Sequence, residues 1–379
     1  MKQSQTQTRS CRGFTIIELM ISIVIASILM LGVMQVFYAN KHASTVGTGL
    51  ARIQENIRFT LKDIGYATRM AGYKGCSDNL TNHLDPDGDG YDEELFDFDS
   101  ATGGWEFSDG AGTSVTSPDA SYTLSTVTPA SDGTKWESTD GDGLPDSLLD
   151  RVIPGSDVLV LKWADSNTGV DVKNMTANSA SITTVGKNDI GKGTILMVSD
   201  CSGGDAFQSF PAQSGKALTR ASGGSGKSPG NKNPGKHNWS HAYTEGAEIL
   251  TFLSRAYFVG QGISGEPALY RITYVQGSNS GDYLVEELAE GVENMQVLYG
   301  YDVDGDDYAD RFVTAQDLPD HAGVVALKLA FLARSAEEIR ETATSKNYTL
   351  LGTDITTPSD KRLRYAFSTT IKLRNKGIK

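Results

Sequence analysis

Three acidic runs place carboxylates at alternate positions, a spacing that lets glycine-turned loops converge on a hard divalent cation. Asp85, Asp87, Asp89 and Glu93 fall at positions 1, 3, 5 and 9 of DPDGDGYDE, and Asp302, Asp304, Asp306 and Asp310 repeat that spacing in DVDGDDYAD. Asp140, Asp142 and Asp146 occupy positions 3, 5 and 9 of the same frame. The twelfth position, where an EF-hand supplies a bidentate Glu, is Phe96, Leu149 or Val313. Calcium at one or more loops and solvated Asp-Gly turns between strands both stay open; Asp302 to Asp310 is the better candidate because strand-like segments flank it. No other motif requires a cofactor. Ser222 to Ser228 ends like a phosphate loop, but Ala221 stands where its first glycine belongs, so the stretch reads as a flexible linker. His237 and His241 lack the helix and the intervening Glu of a zinc protease. Lys216, Arg220, Lys227, Lys232 and Lys236 read as a solvated loop, and no serine, histidine and aspartate define a nucleophile with its base.

One further carboxylate is chemically exceptional. Residues 14 to 38, FTIIELMISIVIASILMLGVMQVFY, form a 25-residue apolar stretch whose only charge is Glu18. The stretch is long enough to span a bilayer, and a carboxylate inside it costs about 2.5 to 3.5 kcal/mol unless paired. Phe37, Tyr38 and Asn40 follow the run, so no small-residue signal-peptidase site ends it. Lys2, Arg9 and Arg12 precede it without an acid, which places the first dozen residues in the cytoplasm and the bulk outside.

The positioning elements follow from periodicity. No proline occurs before Pro86, and Val46, Leu50, Ile53, Ile57, Leu61 and Ile64 recur at helical steps. A continuous helix from Ile16 to Met70, about 80 Å long, is predicted, with Gly47 and Gly49 as soft points. Its 14–38 half is transmembrane and its 39–72 half amphipathic. Short apolar stretches beyond it read as strands: Val158 to Trp163, Thr194 to Val198, Ile249 to Val259, Ala268 to Val275 and Tyr283 to Leu288. Val292 to Tyr301, Val324 to Ala333 and Leu363 to Leu373 complete the set. Residues 77–156 and 202–247 read as large loop insertions. The expected class is α+β: a long N-terminal helix packed on a C-terminal antiparallel β-sheet head spanning 73–379. A net charge of -13 disfavours a nucleic-acid partner.

The string from Arg12 to Leu19, RGFTIIEL, resembles the processing signal of type IV pilins and type II secretion pseudopilins. The resemblance implies that residues 1–13 are a cytoplasmic leader cut after Gly13 by a prepilin peptidase. Phe14 then becomes the N-methylated first residue, and its amine neutralises Glu18 of a neighbouring subunit. Cys11 leaves with the leader, and Cys76 and Cys201 form a disulfide in an oxidising compartment by default, two free buried thiols being the alternative. Gly72 to Cys76, Leu288 to Asp310, Val325 to Ser335 and Arg362 to Asn375 together resemble the PilW-type minor pilins. Gln35 stands where major pilins carry a proline, and the chain is far larger than a bulk filament subunit. The resemblance implies a nonenzymatic protein that waits in the bacterial inner membrane, joins other minor pilins and the major pilin to prime filament growth, and supports an adhesin at the pilus tip. A J-type pseudopilin of a type II secretion system and a calcium-dependent tip adhesin are the alternatives.

Overall fold

The computed structural model describes residues 13–77, 79–108, 121–124, 127–175, 179, 181–210, 215–220, 229–232, 239–276 and 282–375. Residues 1–12 of the leader, including Cys11, the 222–228 linker with Lys227, and Lys236 and His237 lie outside the described residues.

Helix α1 (Ile16–Met70) runs unbroken for 55 residues. Its first half is exposed on every side and is apolar and long enough to cross a membrane. The second half buries one stripe, Ile53, Ile57, Thr60, Ile64, Ala67 and Thr68, spaced at the three- and four-residue steps that repeat on one helix face. It continues through Gly47 and Gly49 without a break. Gly49 permits a close approach: a Cβ there would stand 2.6 Å from Ile339 Cδ1.

The head begins with β1 (Leu80–Asn82), the short α2 (Glu93–Phe96), β2 (Thr102–Phe107), β3 (Ser121–Thr123) and β4 (Trp136–Glu137). Next come β5 (Val158–Asp165), β6 (Val172–Asn174), β7 (Ser181–Thr184), β8 (Ile195–Asp200), β9 (Gly203–Gln208) and β10 (Ala217–Thr219). Four long strands follow: β11 (Glu248–Gln261), β12 (Pro267–Tyr274) and β13 (Tyr283–Glu290), which pair antiparallel in succession, and β14 (Val292–Tyr301), which passes to another sheet. The chain closes with β15 (Arg311–Val313), β16 (Val324–Glu338), β17 (Asn347–Leu350), β18 (Thr353–Thr356) and β19 (Arg362–Lys372).

A nine-stranded sheet runs β1-β9-β8-β11-β5-β2-β4, with β12 and β13 continuing from the second half of β11. A four-stranded antiparallel sheet, β15-β14-β16-β19, carries the docked half of α1. Strand β5 shows why its sequence is almost continuously apolar. Leu159, Leu161 and Trp163 enter the core shared with α1 and the four-stranded sheet, whereas Val158, Val160 and Ala164 enter a second core on the opposite face. A strand buried on both faces loses the polar alternation of a half-exposed one. The second core is supplied by the segment expected to be loop: Phe96, Phe98, Trp105, Phe107 and Trp136 fill it. The described part of 77–156 therefore adds β1, β2 and β4 to the nine-stranded sheet and packs Phe96 and Phe98 on its face, and the described part of 202–247 adds β9 and β10 to the sheets.

Candidate functional site

The N-terminal group is built by the helix start itself. Thr15 caps α1; its N–H and hydroxyl donate to Glu18 Oε2 at 3.0 and 2.9 Å, and the Glu18 N–H donates back to Thr15 Oγ1 at 3.3 Å. This reciprocal box satisfies orphan helix donors and sets a negative charge at the positive end of the helix dipole. Gly13 and Phe14 are exposed beside it, Phe14 at 86%. The Thr-Ile-Ile-Glu spacing from Thr15 to Glu18 is the sequence signature of such a box. Within a single chain Glu18 already has partners, so any neighbour's amine would join a pre-oriented carboxylate.

Cys76 and Cys201 are bonded, with Cα atoms 4.8 Å apart. The bond ties the segment leaving α1 to the turn between β8 and β9. Gly75 makes the approach feasible: its φ is +85°, and a Cβ there would meet Ser199 at 3.0 Å.

The acidic loop between β14 and β15 brings three of its four expected carboxylates together. Ligand-type oxygens of Asp302, Asp304 and Asp310 lie within 4.8 Å of one another; Asp306 is not in the group. Asp306 Oδ1 instead accepts the Tyr308 N–H at 2.8 Å. Asp302 turns the loop by accepting from Gly305 and Asp307, and Asp310 accepts from Val303 at 2.7 Å. Among the described residues the 85–93 and 140–146 runs form no such group. They lie near each other: burial and then the charge of Asp140 push the Glu93 carboxyl up.

Other titratable clusters bind the fold. Ser240 Oγ lies 3.0 Å from His241 Nδ1, and His241 Nε2 lies 3.0 Å from Asp200, a nucleophile-like order that sequence reading did not find. The Ser240 hydroxyl, however, donates to Asp205 at 2.6 Å, so its proton is committed away from His241. Lys162, fully buried, donates to Ser100 at 2.9 Å, and Ser100 donates to Asp97 at 2.7 Å.

Glu106 and Asp157 are a buried acid pair. Asp157 accepts the N–H groups of Phe107 and Val297, tying β2 to β14. Burial, then the Asp157 charge, pushes the Glu106 carboxyl well up, so Glu106 keeps a proton and shares it with Asp157. A raised folded-state pKa gives stability that is complete below the unfolded value of 4.5 and is lost as pH rises toward the folded value. Unfolding stability, read from denaturation midpoints, should therefore decline as pH rises above 4.5, by up to about 1.4 kcal/mol per pH unit from this group, and Glu106→Gln should flatten the decline. An equal decline in the variant would remove the pair as its cause.

Comparison with known families adds two matches. Residues 256–375 match the family model described as Type IV Pilus-assembly protein W, and residues 8–34 match the Prokaryotic N-terminal methylation motif. No curated protein and no solved structure matches the chain. The first match covers the strands from within β11 through β19, including the acidic loop; the second covers the helix start with Gly13, Phe14 and Glu18. Over its helix start and its C-terminal third the chain is thus similar to type IV pilus-assembly proteins and to prepilin-type methylation motifs.

Proposed function

We propose that this type IV pilus-related pilin is a minor subunit that waits in the bacterial inner membrane, joins other minor pilins and the major pilin in a priming complex, and ends at the pilus tip beneath an adhesin. One observation carries the reading: a single unbroken helix, bare over its apolar half and docked over its polar half, follows directly on a Gly13-Phe14 junction inside a methylation-motif match. In this reading prepilin peptidase removes residues 1–13. The Phe14 amine of one subunit then meets Glu18 of its neighbour, removing the penalty that either charge carries alone in hydrocarbon.

Mass spectrometry of the chain from sheared pili should find an N-terminus at methylated Phe14. Glu18→Gln is the discriminating variant, because glutamine retains the capping box but not the charge. Both Glu18→Gln and Glu18→Val should fall at least tenfold in the pilus fraction while accumulating in the membrane. Wild-type incorporation of the glutamine variant would end the charge-pairing role.

The convergence of Asp302, Asp304 and Asp310 supports a second element, calcium in the tip-proximal head. Calcium at a hundredfold excess over its dissociation constant would stabilise the folded head by about 2.7 kcal/mol. The head's melting temperature should rise by several degrees in millimolar calcium, and Asp304→Asn with Asp310→Asn should abolish the rise. If attachment to surfaces also needs calcium in otherwise intact pili, the head is itself the adhesive element.

A further inference from the structure

The four-stranded sheet ends on one side in the three-residue β15 and on the other in the eleven-residue β19. Among the described residues β19 pairs only with β16. The bond from the Leu373 N–H to Val325 O, 2.9 Å, fixes the phase of this antiparallel ladder. Tyr365, Phe367, Thr369 and Ile371 therefore commit their main-chain groups to β16, while Ala366, Ser368 and Thr370 turn theirs outward. Ser368 and Thr370 are exposed.

Sheet edges are normally blunted by shortness, charge, proline or a bulge. The other sheet-edge strands here follow that rule: β1 has three residues and β4 two, and the eight-residue β13 carries Glu286, Glu287 and Glu290. From Tyr365 to Ile371, β19 has no charge and no proline, and its register with β16 does not shift.

Charge specifies what the edge would accept. Residues 361–375 hold five cations and no acid in a chain of net charge -13. Arg362 and Arg364 are bound to Glu266, Glu293 and Asp360. Lys361, Lys372 and Arg374 are exposed and form no ion pair among the described residues. A second copy pairing β19 to β19 would set these cations against each other, whereas an acidic strand would answer them.

We propose that the open edge of β19 receives an extended, acidic strand of a different subunit, which adds a fifth strand to the helix-covered sheet. The identity of that subunit as a pilus component rests on the proposed function; the edge chemistry does not. The test uses the full chain in detergent and a decapeptide of alternating threonine and glutamate, with a threonine-lysine decapeptide as its counterpart. Hydrogen exchange across residues 365–371 should slow at least tenfold with the acidic peptide only. Ser368→Pro removes an outward N–H alone; it should keep the wild-type melting temperature and lose the slowing. Lys372→Glu with Arg374→Glu should also lose it. No slowing, or equal slowing by both peptides, overturns the proposal, as do Ser368→Cys dimers cross-linked through the edge in pili. In cells, Ser368→Pro should fall at least tenfold in the pilus fraction relative to wild type. Absence of the wild-type chain from pili would instead strike the proposed function and leave the peptide result to decide the edge.

Discussion

Serine at both Cys76 and Cys201 is expected to lower the stability of the head by about 4 to 5 kcal/mol, the chain-entropy value for closing a loop of this length. The bonded residues are 125 positions apart, and the loop between them contains β2, β4, β5 and β8. The near end of that loop is otherwise held by a short pairing and by His83 and Leu84, which are buried, Leu84 bridging to Asn231. Strand β1 pairs in parallel with β9 over three residues, Leu80 with Gly204 to Asn82 with Ala206, and beyond it His83 meets Asp205 at 2.5 Å. A parallel pair this short brings few ladder bonds, so without the disulfide β1 should loosen before the rest of the sheet does. At about 2 °C per kcal/mol for a domain of this size, thermal melts should shift down by roughly 8 to 10 °C. The wild-type protein under reductant should melt like the double variant. Coincident melts of oxidised, reduced and serine forms would show that the native contacts alone position this segment.

The helix and the long strands were readable because their residues repeat with the period of the element. Ile53, Ile57 and Ile64 marked the docked stripe and Ala326 to Phe331 a strand; both elements form, but β16 is buried on both faces rather than half-buried, with Leu327, Leu329 and Phe331 in one core and Ala330 and Leu332 in another. Strands β2 and β9 were not readable. Their sequences, TGGWEF and GGDAFQ, carry paired glycines at or beside their start, which ordinarily signal turns, yet every residue in both is buried. What makes them strands is tertiary: β2 lies beside β5 and β9 beside β8, where bulky neighbours supply the packing that glycine lacks. The same limit applies to the acidic loop. Spacing nominated four carboxylates equally, but which of them converge depends on backbone turns such as the positive φ of Gly305 and Asp307, which alternation cannot encode. The disulfide was nominated by elimination, once the resemblance assigned Cys11 to the leader.

Glu293→Ala is expected to destabilise the head by about 3 to 5 kcal/mol, because it strips a buried anion from two arginines that stay buried. Glu293 sits where the register of β14 against β16 shifts, and such a bulge re-aims the side chain it carries. Its carboxylate accepts from Arg364 Nε at 2.6 Å, from Arg364 Nη2 at 2.9 Å and from Arg334 Nη1 at 2.8 Å. Arg334 also meets Glu266, as Arg362 does at 2.7 Å, and Arg364 grips Asp360 with two bonds of 2.6 Å. Three guanidinium groups thus face three carboxylates across β14, β16 and β19. Burial works against the Asp360 carboxylate, but the Arg364 hydrogen bonds hold it below its ordinary range. A depressed pKa contributes stability above the unfolded value of 3.8 that is lost as pH falls through the folded value, so the network should weaken under acid. The variant separates buried charge from shape. If the loss comes from stranded arginines, Glu293→Leu combined with Arg364→Met should recover most of it, since an apolar replacement of a buried pair is often neutral. If the double variant is as unstable as Glu293→Ala, the bulge geometry rather than the charge balance holds these strands in register, and urea midpoints of the two variants would decide it.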